Sequence, residues 1–319
     1  MLIGVMILNY NGARWLSPLY EALGKAAIGG FRLYLVDNGS HDESIALTLD
    51  LFPQVTVLRM PENLGYSMAY NLAMPLAFAD GCDWVILANN DIRLEPNCLA
   101  ELARAAAETP GVGILGPAFL AWDSDEPNYY MRGVYPQVIP AMQARLSSAI
   151  EVDWVEGSFL MVSKFCMDDI GPLDPCFFFY WEEADFCRRA RYRGWKVVLV
   201  PSAIARHYAG GSTRICGDDR FERLQTRNYY IYTLTNVYST WWHNCIDAFH
   251  LLLVRLKAGI FLGEIAIWTE LKVFRATLMD WRIIRRKWLR DRAGTHPPSL
   301  QGIAMPVNVV VIGGTGVVT

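Results

Sequence analysis

The 319 residues, 53% hydrophobic and 19% charged, can bury one large domain or a domain with an appendage, which excludes a disordered chain. A formal net charge of −3 argues against a nucleic-acid binder, because a phosphate-tracking surface needs a basic excess. Seven cysteines, odd in number and without a C-x-x-C pair, read as free thiols in a reducing cytosol.

Residues 2–8 form a continuous apolar run, as expected of a parallel strand buried on both faces. With no basic n-region and no small-residue cleavage site, the run does not read as a signal peptide. Asn11-Gly12 breaks it, and 15–27 reads as a helix. Strands are predicted at 31–36, 55–59 and 84–88, alternating with helices at 44–52, 67–79 and 96–108. This alternation predicts an α/β fold, a mostly parallel sheet with helices on both faces. After Pro110 the spacing changes. A strand at 112–117 precedes an irregular stretch over 121–150, an apolar segment at 154–163, a charged helix at 182–193 and a strand at 195–201. From 220 to about 292 the pattern is helical, which gives three parts: 1–220, 221–292 and a tail, 293–319. The tail, 305–319, reads as a strand running into a glycine turn, like the opening of a dinucleotide-binding unit with Thr319 in place of its last glycine. It is expected to be an edge strand or a truncated or foreign end, and not to bind a dinucleotide.

The first four predicted strands each run toward polar residues: Asn9-Tyr10-Asn11, Asp37-Asn38-Gly39-Ser40, Asn63-Leu64-Gly65-Tyr66 and Asn89-Asn90-Asp91. Ligands of open α/β sheets bind beyond the carboxyl ends of strands. Each tripeptide alone is an ordinary turn, but four in succession suit a nucleotide. Tyr10 would stack on a base, Asp37 would accept from a base N–H or ribose hydroxyl, and Gly65 would allow close backbone approach. Asp91 is a candidate ligand for Mg2+ or Mn2+, which need only one or two protein carboxylates when a diphosphate and waters complete the shell.

A second centre is Tyr180-Trp181-Glu182-Glu183-Ala184-Asp185. Three acids in four residues are either a solvated first helical turn, favoured by the helix dipole, or the source of a general base for an acceptor hydroxyl. Residues 182 and 183 point about 100° apart on a helix, so only one faces an acceptor easily. His207 reads as a structural histidine or, beside Asp91, a second metal ligand.

In this order and spacing, Ile7-Leu-Asn-Tyr-Asn-Gly12, Val36-Asp-Asn-Gly-Ser40, Asn63-Leu-Gly65 with Asn71, Asn89-Asn-Asp91, Trp154-Val-Glu-Gly157, Tyr180–Asp185 and His207 resemble the inverting family-2 glycosyltransferases. The similarity runs over about residues 3–214 and is nearest the bacterial rhamnosyltransferase-like branch, with galactofuranosyltransferases as cousins. It implies a GT-A (nucleotide-diphospho-sugar transferase) fold over 1–220, a nucleoside-diphosphate sugar donor and a cell-surface glycan or lipid-linked acceptor. It also implies roles. Tyr10, Asn11, Asp37, Asn38, Gly65, Asn71, Asn90, Asp91 and Gly157 fall on the nucleotide-sugar side, and Trp181, Glu182 and Asp185 on the acceptor side. Asp91 and His207 match the metal positions and Glu183 the catalytic base. Two positions depart from the family pattern. Asn89-Asn90 leaves the metal motif one carboxylate, and Glu183 replaces the commoner Asp, extending its reach by about 1.5 Å.

From 251 to 292 there are ten Lys/Arg and four Asp/Glu, a local balance of +6. Leu271, Phe274, Leu278, Trp281 and Trp288 fall on one helical stripe, and Arg275, Arg282, Arg286 and Arg290 on another. Such a helix suits either an anionic membrane surface, as a peripheral protein on the cytoplasmic face, or packing against the catalytic domain or a second copy. Competing functions are a sugar nucleotidyltransferase, disfavoured by the single glycine in 9–14, and a non-catalytic nucleotide-binding or scaffold protein of the same fold.

Overall fold

The computed structural model describes residues 1–208, 219–262, 264–297, 310–312 and 317–318. The first apolar runs become adjacent parallel strands: β1 (Ile3–Asn9), β2 (Phe31–Asp37), β3 (Thr56–Arg59) and β4 (Trp84–Asn89) lie in the order β3-β2-β1-β4. Their side chains are apolar on both faces because helices α1 (Ala13–Gly24), α2 (Ser44–Leu51) and α3 (Gly65–Ala79) carry the chain back between them. Val5, Met6, Ile7 and Leu35 lose essentially all solvent contact in the resulting core.

The second half mixes directions. In chain order come β5 (Ile92–Leu94), α4 (Cys98–Glu108), β6 (Val112–Ala121), α5 (Tyr129–Val134), α6 (Ile139–Gln143), β7 (Ile150–Glu151), β8 (Phe159–Ser163), α7 (Lys164–Ile170), α8 (Glu182–Tyr192) and β9 (Lys196–His207). β8 runs antiparallel to β4, and the sheet continues β8-β6-β9-β5. The strands predicted at 112–117 and 195–201 are longer than their apolar runs, because β6 and β9 keep pairing past a register shift at Pro117/Ala118. Three-residue β5 is too short for periodicity to reveal, and the stretch read as irregular over 121–150 contains α5 and α6.

Four helices follow: α9 (Asp219–Leu234), α10 (Trp241–Leu262), α11 (Glu264–Met279) and α12 (Trp281–Arg292). They close a second core in which Phe177 meets Tyr230, Leu234, Leu252, Val273 and Ile284. The stripe read as one helix is broken at Asp280, between α11 and α12. Trp288 therefore turns inward while Leu271, Leu278 and Trp281 stay exposed, and Arg290 joins a partly buried ion cluster with Asp174 and Asp291 instead of lining a basic surface. No helix among the described residues is long and apolar enough to cross a membrane. In the tail, β10 (Val310–Ile312) pairs antiparallel with β3, and β11 (Val317–Val318) with β2. Residues 305–309, the glycine turn at 313–316, Thr319 and Cys216 lie outside the described residues. The other six cysteines are free.

Candidate active site

Parallel register brings the ends of β1, β2 and β4 to one rim, with Asn9 opposite Asp37 and Leu8 opposite Asn89. The polar groups there bind one another. Asn9 Nδ2 donates to Asp37 Oδ1 (3.3 Å) and Ser40 Oγ (3.1 Å), and Asn90 Nδ2 donates to Asn9 Oδ1 (2.7 Å). The Ser40 amide donates to Asp37 Oδ2 (3.1 Å) and the Asn11 amide to Ser40 Oγ (2.9 Å). Asn38 clamps the next loop, donating to Asn63 Oδ1 (2.9 Å) and accepting from the Leu64 amide (2.9 Å). Asp37 has no solvent exposure, so its carboxylate shapes this turn and, in this structure, is not open to a base. Tyr10 is the rim aromatic left open, 36% exposed.

The candidate metal ligands meet through three strands. β5 pairs with β9 so that Ile92 faces His207, which sets Asp91 beside the imidazole. His207 Nε2 lies 3.4 Å from Asp91 Oδ1, and Nδ1 lies 2.5 Å from Glu156 Oε1. Glu156 arrives just before β8, where the Asn89 amide donates to the Ser158 carbonyl (2.8 Å). Ser158 Oγ (2.8 Å) and Asn128 Nδ2 (3.3 Å) in turn donate to Glu156. A carboxylate that fixes one imidazole nitrogen is the usual support of a metal-bound histidine; here Glu156 takes Nδ1 and Nε2 is turned toward Asp91. Burial opposes a charge on His207, but hydrogen bonds to Asp91 and Glu156 outweigh it and carry the group up to about 10. The Asp91–His207 separation is near the edge of about 3 Å of an octahedral Mg2+ or Mn2+ shell, so the pair fits such an ion.

This strand-end rim lies within residues 4–167, the segment that matches the family described as Glycosyl transferase family 2.

The chain belongs to glycosyl transferase family 2.

It is a glycosyltransferase of the GT-A fold. It is 30% identical over 268 residues to the N-acetylglucosaminyl-diphospho-decaprenol L-rhamnosyltransferase of Mycobacterium tuberculosis, covering 75% of this chain and 85% of that one. It is 23% identical to the dTDP-rhamnosyl transferase RfbF of Shigella flexneri, covering 56% of this chain and 60% of that one. Among solved structures, the mannosyltransferase PcManGT of Pyrobaculum calidifontis, in complex with GDP-Man and Mn2+, matches 92% of this chain and 84% of its own. Its TM-score is 0.59 at 14% identity, a likeness of fold.

The base candidate of this family-2 chain lies beyond the matched segment, at the start of α8. Tyr180 and Trp181 both have φ of +73°, a left-handed conformation that bulky residues rarely adopt. Asn228 of α9 holds the strained pair, donating to the Phe179 and Tyr180 carbonyls (both 3.0 Å), and Tyr229 stacks on Trp181 at 4.4 Å. The three acids that follow have three environments. Glu182 is 3% exposed and its Oε2 has no hydrogen-bond partner, so burial and the neighbouring Glu183 charge push it well above the carboxylate range. Asp185 is fully buried among Arg188 (3.1 Å), Arg189 (3.0 Å) and Lys287 (2.8 Å). Burial works against its charge, but these cations hold it down at about 2. Glu183 alone of the three keeps partial solvent access. Burial and then Glu156 push it up to about 7, near the value that suits a base in neutral solution.

Asp185 is therefore a structural anchor and not an acceptor-side group, and Glu182 turns inward. Asn71 is spent on both backbone groups of Leu173 (2.8 and 3.0 Å), so it positions the loop ahead of α8 and does not face a donor. Gly65 also serves the fold: a Cβ there would stand 2.4 Å from the Phe178 carbonyl. Gly157 touches the base candidate, since a Cβ on it would lie 3.1 Å from Glu183 Cβ. Sequence reasoning gave Glu156 no role. Its position beside Gly157, in a motif already singled out, was the available signal.

Proposed function

We propose that this glycosyltransferase moves rhamnose from dTDP-rhamnose to a hydroxyl of a lipid-linked or polysaccharide acceptor, with inversion, using Glu183 as base. One observation carries the reading. Glu156 holds His207 opposite Asp91, while the next residue, Gly157, lies against Glu183. A single peptide thus joins the pair suited to a metal and diphosphate with the carboxylate suited to deprotonating an acceptor. The sugar and acceptor follow the two rhamnosyltransferase relatives, one of which is named for a diphospho-decaprenol substrate.

Asp91 and His207 would hold Mg2+ or Mn2+, which when bound neutralises charge on the departing diphosphate. Tyr10 stacks on the nucleobase, and the Asn9–Asn11–Asn38–Asn90 network keeps the rim in shape around the donor. Trp181, fixed on Tyr229, walls the acceptor side. Glu183 removes the acceptor proton as the acceptor oxygen bonds to the anomeric carbon. The bond from that carbon to the diphosphate oxygen breaks with its electron pair on the diphosphate. Attack opposite the leaving group inverts the centre in one displacement, without a sugar–enzyme intermediate. A lipid-linked acceptor also supports work at the cytoplasmic face of a membrane.

The test is incubation with dTDP-rhamnose and N-acetylglucosaminyl-diphospho-polyprenol, followed by mass spectrometry, alongside thermal shifts with other nucleotide sugars. A product heavier by one deoxyhexose is expected. Stabilisation and transfer by a UDP- or GDP-sugar, but not dTDP-rhamnose, overturns the donor assignment.

A further inference from the structure

Twelve of the 24 large apolar side chains left exposed among the described residues lie on α10, α11 and α12. Such concentration is unlike the scatter of single apolar residues on ordinary surfaces. On α10, Trp242 (77% exposed), Ile246 (61%), Phe249 (54%) and Leu253 (47%) recur at intervals of four, three and four, which is one face of a helix. The opposite face, with Ala248 and Leu252, is in the second core. This helix is therefore apolar on two sides, and among the described residues only one side enters a core.

α10 and α11 form an antiparallel hairpin: Arg255 Nε donates to Glu270 Oε2 (2.8 Å), and Gly259 lies against Ile267. α9 packs against both helices of the hairpin, and the Trp242–Leu253 stripe lies away from the face of α10 that enters the second core. α11 carries an exposed stripe of its own, Trp268, Lys272, Arg275 and Met279 at intervals of four, three and four, and Lys257 sits near the end of the α10 stripe. Asp247 is the exposed acid on this part of α10, about 130° from the centre of the stripe. An apolar stripe with tryptophans, flanked by cations, matches a surface carrying hydrocarbon beneath negative headgroups.

We propose that the far face of the α10–α11 hairpin, centred on Trp242, Ile246, Phe249 and Leu253, lies on an anionic lipid bilayer. The inference rests on the lipid-linked acceptor reading and deepens it. α9, which supports the hairpin, also carries Asn228 and Tyr229, the residues that fix the loop before Glu183. Bilayer and acceptor side are thus linked by one helix, and a diphosphate headgroup at the membrane surface is presented to the site whose base must reach it.

The test uses the full chain and vesicles of equimolar phosphatidylglycerol and phosphatidylcholine, with pure phosphatidylcholine as control. Co-sedimentation is expected with the anionic vesicles, weakening as salt rises. Phe249→Glu with Leu253→Glu, at exposed helical positions, is expected to lower partitioning about ten- to a hundredfold. Lys272→Glu with Arg275→Glu should lower it severalfold on anionic vesicles only. Transfer to a water-soluble acceptor with a short alkyl chain in place of the polyprenol should be the same for all variants, which separates this proposal from the donor and acceptor assignment. Wild-type protein that stays in the supernatant at low salt overturns the proposal, as does unchanged partitioning of the Phe249→Glu, Leu253→Glu variant. Sedimentation velocity showing a wild-type dimer that this variant makes monomeric, without loss of vesicle binding, assigns the face to a second copy and also overturns it.

Discussion

Replacing Glu183 with Gln keeps the size of the side chain and removes its basicity, and the surroundings of the residue give the change two opposite signs. The carboxyl is raised from 4.5 to about 7, first by burial and then by the neighbouring Glu156 charge. A raised acid stabilises the fold while protonated: the benefit is complete below the unfolded value of 4.5 and is lost as pH rises through about 7. The charged form therefore costs about 1–3 kcal/mol above neutrality, allowing for its partial solvent access. Glu183→Gln should leave stability unchanged in acid and raise it by that amount in alkali. It should meanwhile lower kcat by about 10²–10⁴-fold with donor affinity nearly intact. In the wild type, kcat should fall about tenfold per unit below pH ~7, and the residual activity of the variant should lack this limb. The assay is initial-rate transfer from the nucleotide sugar on both sides of neutrality, paired with urea unfolding at the same pH values. Normal turnover in Glu183→Gln, with Glu182→Gln or Asp185→Asn inactive but still binding donor, would refute the assignment.

Three further outcomes are expected. Gly157→Ala brings a Cβ to 3.1 Å from Glu183 Cβ and 3.2 Å from its Cγ, so the base must shift by a few tenths of an ångström. kcat should drop about tenfold while donor affinity holds, and an equal loss in both, measured by steady-state kinetics, would contradict this. Glu156→Gln should weaken Mn2+-dependent binding of the nucleoside diphosphate about 10–100-fold in calorimetry and leave binding in chelator unchanged; equal affinity with and without metal in the wild type removes the metal site. Lys287→Met strands the buried carboxylates that the ammonium holds, Asp174 (3.1 Å), Asp185 (2.8 Å) and Asp291 (2.6 Å). A loss of about 3–5 kcal/mol in urea unfolding is expected, and an unmoved midpoint would mean that the arginines alone carry the cluster.

The parallel half of the sheet was legible because β1 to β4 are buried on both faces and so read as unbroken apolar runs. The ends of β6 and β9 were not, since pairing carries them beyond their own hydrophobicity to His207. β5 is three residues long and shows no period, yet its register sets Asp91 beside His207. The site was legible as motifs but not as partners. Nothing local in the sequence says that Asn71 will be consumed by Leu173, 102 positions away, or that Asp185 will answer to Lys287. Helical angles leave only one of Glu182 and Glu183 facing an acceptor, the family resemblance places the base at Glu183, and the unequal burial of the three acids supports that assignment. The C-terminal stripe read as one helix because its period runs on through Asp280, where the helix stops; of its four arginines, Arg275, Arg282 and Arg286 stay exposed and Arg290 turns into the ion cluster.

The left-handed pair Tyr180–Trp181 has a consequence for dividing or recombining such enzymes. Its geometry is held by Asn228 and Tyr229, so the segment that shapes the base and the segment that steadies it lie on opposite sides of position 220, where the sequence predicts the catalytic part to end. A chimera joined there, with helices from one parent and sheet from another, inherits a loop without its matching brace. Crossovers that keep 177–235 from a single parent preserve both, which makes that stretch, and not either domain, the natural unit of exchange.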